Sequence, residues 1–148
     1  MQIHKIKVDG NVYHLPEQSA AKQMELFEQL GARILANFVN SEMEKIETDF
    51  LFGVLLSMKK IDGISIEDIA DNVLYKCFKE NTSERVMLGD FQGQIASYTR
   101  LVAEGVRANL EDFFTSIESQ AFKERERIRQ QELVKTVSKM KKPKSKKA

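Results

Sequence analysis

Apolar and polar positions alternate over residues 3–15, then apolar ones recur every three or four residues along most of the chain. The pattern predicts a short β-hairpin followed by amphipathic helices. Ile6, Val8, Tyr13 and Leu15 are the apolar members of the alternating stretch. With Gly10-Asn11 as a two-residue type II′ loop, Val8 falls opposite Tyr13 and Ile6 opposite Leu15, so all four share one face. The alternative loop, Asp9-Gly10, pairs Lys7 with Val12 and is expected to scatter that set. Two strands alone are marginal in water, so their apolar face is expected against the helices. Pro16 ends the second strand.

Ala20, Met24, Phe27, Gly31, Ile34 and Phe38 give a first helix over about Ser19–Phe38. Ser41-Glu42-Met43-Glu44 has the form of a capping box and opens a second helix, Glu42–Lys59. Ile46, Phe50, Val54 and Met58 form its stripe, widened by Leu51, Leu55 and Leu56. So broad an apolar surface suits a central helix or one that meets another chain. Asp62-Gly63 ends it, and Ser65-Ile66-Glu67-Asp68 opens a third, with Ile66, Ile69, Val73, Leu74 and Phe78 inward. Lys79–Gly89 read as a polar loop in which Val86, Met87 and Leu88 clip back to the body. Asp90 then caps a long helix whose face carries Phe91, Ile95, Tyr98, Val102, Val106, Leu110 and Phe113, closing on Phe114. Gly93 and Gly105 inside it mark close helix crossings, since a helical Gly costs about 1 kcal/mol against Ala.

Beyond Ile117 apolar residues thin out: Phe122, Ile128, Leu133 and Val137 stand among Lys, Arg, Glu and Gln. Helix is expected to about Lys139, and disorder over Lys141–Lys147. The predicted fold is therefore mainly α, an N-terminal β-hairpin on a bundle of about four helices with a basic, helical-then-disordered tail. Residues 1–117 form the domain and 118–148 the tail.

The 148 residues suffice for one domain with a core. No apolar run is long enough to cross a bilayer, and the N-terminus lacks a signal-peptide core, so no membrane partner is expected. Cys77 is the single cysteine, consistent with a reducing cytoplasm. The net charge of +1 conceals an asymmetry: 12 Lys/Arg against 18 Asp/Glu in residues 1–117, and 11 against 4 in 118–148. An acidic body carries a basic tail, which bears on partners.

Chemistry is hard to find. His4 and His14 fall on opposite hairpin faces and no further ligands lie nearby, so no metal is expected. Cys77 near the end of the third helix reads as packing, since only two histidines could serve as its base. Gly89-Asp90-Phe91-Gln92-Gly93 lacks the Lys-Ser/Thr of a phosphate loop. The adjacent acids Glu67/Asp68 and Glu111/Asp112 point in different directions on their helices. The reading is a binding protein, not an enzyme, with no cofactor. The tail lacks interleaved aromatics for base stacking, which disfavours nucleic acid as a partner.

Asp90-Phe91 with Gly93 just after, an apolar helix, and the ending Asn109-Leu110-Glu111-Asp112-Phe113-Phe114 resemble the last core helix of phage tail assembly chaperones. The likeness extends over residues 3–114, from the strand, Asp-Gly-x, strand hairpin onward. It implies a protein of the infected host's cytoplasm that binds the tape-measure protein, keeps its long apolar helices soluble and helps recruit tail tube subunits. A holding chaperone needs apolar surface, which self-association can cover until the client arrives. Phe50, Leu51, Leu55, Phe113 and Phe114 are the candidates for contact with client or with a second copy. Arg125, Arg127, Arg129, Lys135 and Lys139 are the candidates for docking through the tail. The alternatives are a small DNA-associated regulator using the basic tail, and a structural tail component.

Overall fold

A computed structural model of the chain describes residues 2–58 and 63–145, the last six of these by their helical backbone. Strands β1 (Ile3–Val8) and β2 (Asn11–Pro16) pair antiparallel with Ile6 opposite Tyr13 and Val8 opposite Asn11. The loop is thus Asp9-Gly10, and the predicted Gly10-Asn11 register is wrong. Asp9 and Gly10 have φ of 48° and 86°, the two left-handed residues of a type I′ turn, whose twist matches the strands. The expected scattering does not follow, because the two registers differ by two residues and two preserves the face. Val8, Tyr13 and Leu15 are buried on it, with Ile6 beside them.

Ser19 caps α1 (Ala20–Val39), its hydroxyl accepting the Lys22 N–H. The buried stripe is Leu26, Leu30, Gly31, Ile34 and Phe38, while Met24 and Phe27 are exposed. The predicted stripe was therefore rotated at its start. Ser41 opens no helix: its hydroxyl donates to the Phe38 carbonyl and accepts from Met43 N–H, and the chain stays irregular to Glu47. The reason is tertiary. Ile46 is buried, its N–H donates to the Glu118 carboxylate at 3.0 Å, and Arg125 gathers the carbonyls around it. Helix α2 is consequently short, Thr48–Leu56. Lys59 and Asp62 lie outside the described residues; Gly63 follows with φ of 73°.

Helix α3 (Ile66–Val73) begins where Ser65-Ile66-Glu67-Asp68 was expected to open it, through a capping box in which Ser65 and Asp68 bond each other's backbone N–H. It ends earlier than expected. Lys76 turns left-handed at φ of 62°, and Phe78–Lys79 becomes β3, a third strand on β2. Cys77 and Phe78 are therefore not helical.

The single helix expected over Asp90–Phe114 is three pieces. Leu88–Phe91 form a 3₁₀ turn, held by the Asp90 carboxylate accepting Met87 N–H, and Gly93 (φ 77°) breaks the chain before α4 (Ile95–Asn109). Asp90 thus caps a turn and Gly93 no crossing. Gly105 does mark one: a Cβ there would lie 2.7 Å from Val73 Cγ2. Asn109 ends α4. Its buried carbonyl oxygen accepts Gln18 N–H at 2.8 Å and Gln23 Nε2 at 3.3 Å, and its amide donates to Gly105 O. Gln18 in turn donates to the carbonyls of Pro16 and Tyr75, so this polar pair ties the hairpin exit to α1, α3 and α4.

After the kink at Leu110, α5 (Glu111–Ser145) runs unbroken through residue 117. Glu111 and Asp112 occupy its first turn and lysines its acid-free last turns, both favoured by the helix dipole. Residues 141–145, expected to be disordered, are accordingly helical, and Lys146 and Lys147 lie outside the described residues. The core joins the hairpin face, α2 and α3 against α4, with Leu51, Leu55, Ile69, Val73, Leu101 and Val102 all but fully buried.

Candidate functional site

Two features group exposed apolar side chains: a furrow between α3 and α4, and the outer half of α5.

The furrow follows from the local breaks just described. Because the capping box starts α3 at Ile66, Ile64 and Ile66 flank its first turn. Because Gly93 breaks the chain, Ile95 opens α4 with its side chain outward, 57% exposed, instead of continuing a buried stripe. The Asp90–Met87 bond fixes the 3₁₀ turn so that Met87 and Leu88 stand out at 68% and 40% exposure. Met58, Ile64, Ile66, Leu88, Ile95 and Tyr98 then line a depression of about 460 Å³. A second depression of about 320 Å³ continues it, sharing Glu67, Leu88 and Tyr98 and adding Asp71, Tyr75 and Arg85. Tyr98 forms the buried floor, and its phenol is pushed up to about 12 by burial, with the negative fields of Glu67 and Asp71 adding to it. Mobile thioethers and aliphatic side chains over a fixed aromatic floor suit an adaptable apolar ligand. Sequence reading missed this furrow; the apolar Met87 and Leu88 inside a polar loop were its one signal.

The residues nominated from the sequence are placed differently. Leu51 and Leu55 are each 1% exposed and Phe114 3%, all in the core. Their wide stripe arises because α2 is covered by both α1 and α4, not because one side is free. Phe50 is half-buried edge-on against Phe38 at 5.7 Å. Phe113 is half-buried edge-on against Phe27 at 4.3 Å, with Met24 exposed on the same helix as Phe27. The five therefore do not converge on one surface.

Among the tail cations, Arg125 belongs to the body. Its guanidinium donates to the carbonyls of Phe38, Ser41 and Met43 and lies 5.1 Å from the Phe38 ring centroid. It thereby caps the C-terminal end of α1. Arg127 pairs with Glu124, whose carboxyl is held below its usual range by that hydrogen bond, and Arg129 pairs with Glu126 at 2.9 Å. Lys135 and Lys139 lie in the outer half of the helix, where every described side chain from Arg127 to Lys139 is exposed. Leu133, Val134 and Val137 are exposed among them at 66%, 65% and 45%.

His4 and His14 sit on opposite faces of the hairpin, as expected, with His14 stacked on Phe78 at 4.9 Å and 3.6 Å from Glu80. Cys77 is fully buried, and burial pushes its thiol up to about 12. Among the described residues, no three His, Cys, Asp or Glu side chains are placed to hold a metal, and no helix is long and apolar enough to cross a membrane.

A family model described as phage tail assembly chaperone protein, TAC, matches residues 9–123, which include the hairpin turn, the furrow and the packed half of α5. No curated protein and no solved structure matches the chain.

Proposed function

The chain belongs to the phage tail assembly chaperone family, and we propose that within tail assembly it holds the tape-measure protein in solution by taking apolar side chains of that client's helices into the α3–α4 furrow. The observation that carries this is the furrow itself. Exposed Leu88 and Ile95 rim an open, mainly apolar depression of about 460 Å³, and exposed Met87 the adjoining one, on a member of a chaperone family. An amphipathic helix lays side chains spaced i, i+3 and i+4 into such a groove. The acids Glu67 and Asp71 at its edge keep the surface hydrated when it is empty. Binding takes place in the host cytoplasm, and holding the client extended allows tail tube subunits to be recruited around it.

Co-expression with the tape-measure protein tests the reading, scoring the client's soluble fraction and its co-purification. Ile95→Glu and Leu88→Glu alter exposed positions, so the circular dichroism spectrum is expected unchanged while client solubility and co-purification fall to the level without chaperone. Retention of both by the two variants would overturn the placement of the site. A client that stays insoluble with the unaltered chain would overturn the function.

A further inference from the structure

The outer half of α5 has a composition and a position that the body does not explain. From Glu126 to Ser145 the helix extends about 30 Å at 1.5 Å per residue. It lies wholly beyond the family match, which stops at residue 123. Leu133, Val134 and Val137 share one side of it, an i, i+1, i+4 set with no covering element among the described residues. The segment is also basic, with seven Lys/Arg against Glu126 and Glu132, and after Glu132 it has no acid at all.

Its own chain's furrow is out of reach. Arg125 ties the start of the arm to the 38–43 backbone, next to the Glu47 end of α2, whereas Met58 and the furrow lie past the Leu56 end. Since α5 is one uninterrupted helix that runs along α1 and out past its end, the arm cannot fold back. The furrow has the complementary character. Residues 63–75 carry Glu67, Asp68 and Asp71 and no Lys or Arg, and among the described residues Arg85 is the one cation lining it, drawn with Lys22 and Lys76 to the Tyr75 ring.

We infer that the arm of one copy docks in the α3–α4 furrow of a second copy, with Leu133 and Val137 as apolar anchors and the lysines over Glu67 and Asp71. The inference rests on the same furrow as the client-binding reading and names what occupies it before the client does. Each chain offers one arm and one furrow, so each contact joins unlike surfaces, and the assembly closes as a two-fold arm-exchanged dimer or a ring, or runs on as an open chain. The electrostatic part weakens with salt.

The test is sedimentation velocity of the full chain over a range of protein and salt concentrations. The unaltered protein is expected to form species larger than a monomer, growing with concentration and shrinking as salt rises. The arm variant Leu133→Glu/Val137→Glu and the furrow variant Ile95→Glu change exposed residues, and each alone is expected to stay monomeric. Their equimolar mixture retains one intact arm and one intact furrow, and is expected to give a heterodimer and nothing larger. A mixture that stays monomeric while the unaltered protein associates would overturn the inference, because the contact would then lie elsewhere. So would an unaltered protein that is monomeric at all concentrations. If it is monomeric and only the arm variant loses the tape-measure protein, the arm belongs to the client. Loss of client by Ile95→Glu without any self-association leaves the chaperone reading standing and removes this one; a heterodimer without client holding does the reverse.

Discussion

Replacing Gly105 by alanine adds one methyl group to the interior of α4, where helix propensity alone predicts a gain of about 1 kcal/mol. The structure reverses that sign. The new Cβ would lie 2.7 Å from Val73 Cγ2 and 2.8 Å from Val73 Cβ, with Leu15 Cδ1 at 3.4 Å. A rotamer change could withdraw the Val73 methyl but not its Cβ, and a β-branched residue in a helix has one strongly preferred χ1. Relief therefore requires α3 to move off α4, at the upper part of the roughly 1–3 kcal/mol that overpacking costs. The net is a destabilisation of about 1–2 kcal/mol, or a urea midpoint lower by about 0.5–1 M for a domain of this size. Gly53→Ala is the control. It sits in α2, exposed, with nothing within 4 Å of the added Cβ, so it should raise the midpoint by the equivalent of about 0.5–1 kcal/mol. Urea unfolding followed by circular dichroism reads both. A Gly105→Ala midpoint equal to or above that of the unaltered protein would refute the close α3–α4 crossing on which the furrow's shape depends.

Leu51→Ala should cost about 2–5 kcal/mol in the same assay, as a core cavity does. Leu56→Ala, one helix position from Leu55 but 60% exposed, should stay within about 0.5 kcal/mol of the unaltered protein. Arg125→Ala removes three hydrogen bonds to the 38–43 backbone and should accelerate amide exchange over residues 41–47, with a loss of about 1.5–3 kcal/mol. Arg125→Lys should not restore protection, because a point charge cannot replace the fork; unchanged exchange in either would show that the cap is incidental. Cys77 and Tyr98 are both raised to about 12 from 9.0 and 10.0 by burial, so folding favours their neutral forms. Their contribution is complete below pH 9 and is lost as pH climbs from 9 toward 12. The urea midpoint should fall over that window, and Tyr98→Phe should flatten the part above pH 10.

Much of the secondary structure was legible because it is encoded locally. The helix starts at Ser19 and at Ser65 and the inward side of the hairpin all follow from residues within a few positions of one another. What misled was tertiary or depended on backbone sign. Ser41-x-x-Glu44 satisfies the same local rule as Ser65-x-x-Asp68, but Ile46, Glu118 and Arg125 hold its backbone in another conformation, and two of those partners are over seventy residues away. The long helix from Asp90 has an unbroken apolar period, yet Gly93 is left-handed and Asn109 bonds across to Gln18. Periodicity registers neither. The same breaks expose Ile95 and Leu88, so the furrow was hidden by the error that hid the kink. Leu51 and Leu55 show the converse: a wide stripe cannot distinguish a helix covered on two sides from one awaiting a partner.

The arm's rigidity makes arm-to-furrow docking testable by phase as well as by residue. Arg125 fixes where α5 leaves the body, and the helix beyond it is continuous, so the side to which Leu133 and Val137 point is set by helical register. Leu133, Lys135, Val137 and Lys139 all lie beyond Gln131 and turn together, so an insertion before them leaves the arm's own face intact and changes how a docked copy sits against this body. Adding one alanine between Gln130 and Gln131, both exposed, turns everything beyond it by about 100° and lengthens the arm by about 1.5 Å. Adding seven turns it by only about 20° and lengthens it by about 10 Å. The one-residue insertion should therefore abolish the larger species in sedimentation velocity, although net charge is unchanged. The seven-residue insertion should restore association, with each copy set farther from the next and the small-angle scattering profile correspondingly extended. Equal association by both insertions would mean that the contact is confined to the arm and the groove, and that the orientation of one body against the next plays no part.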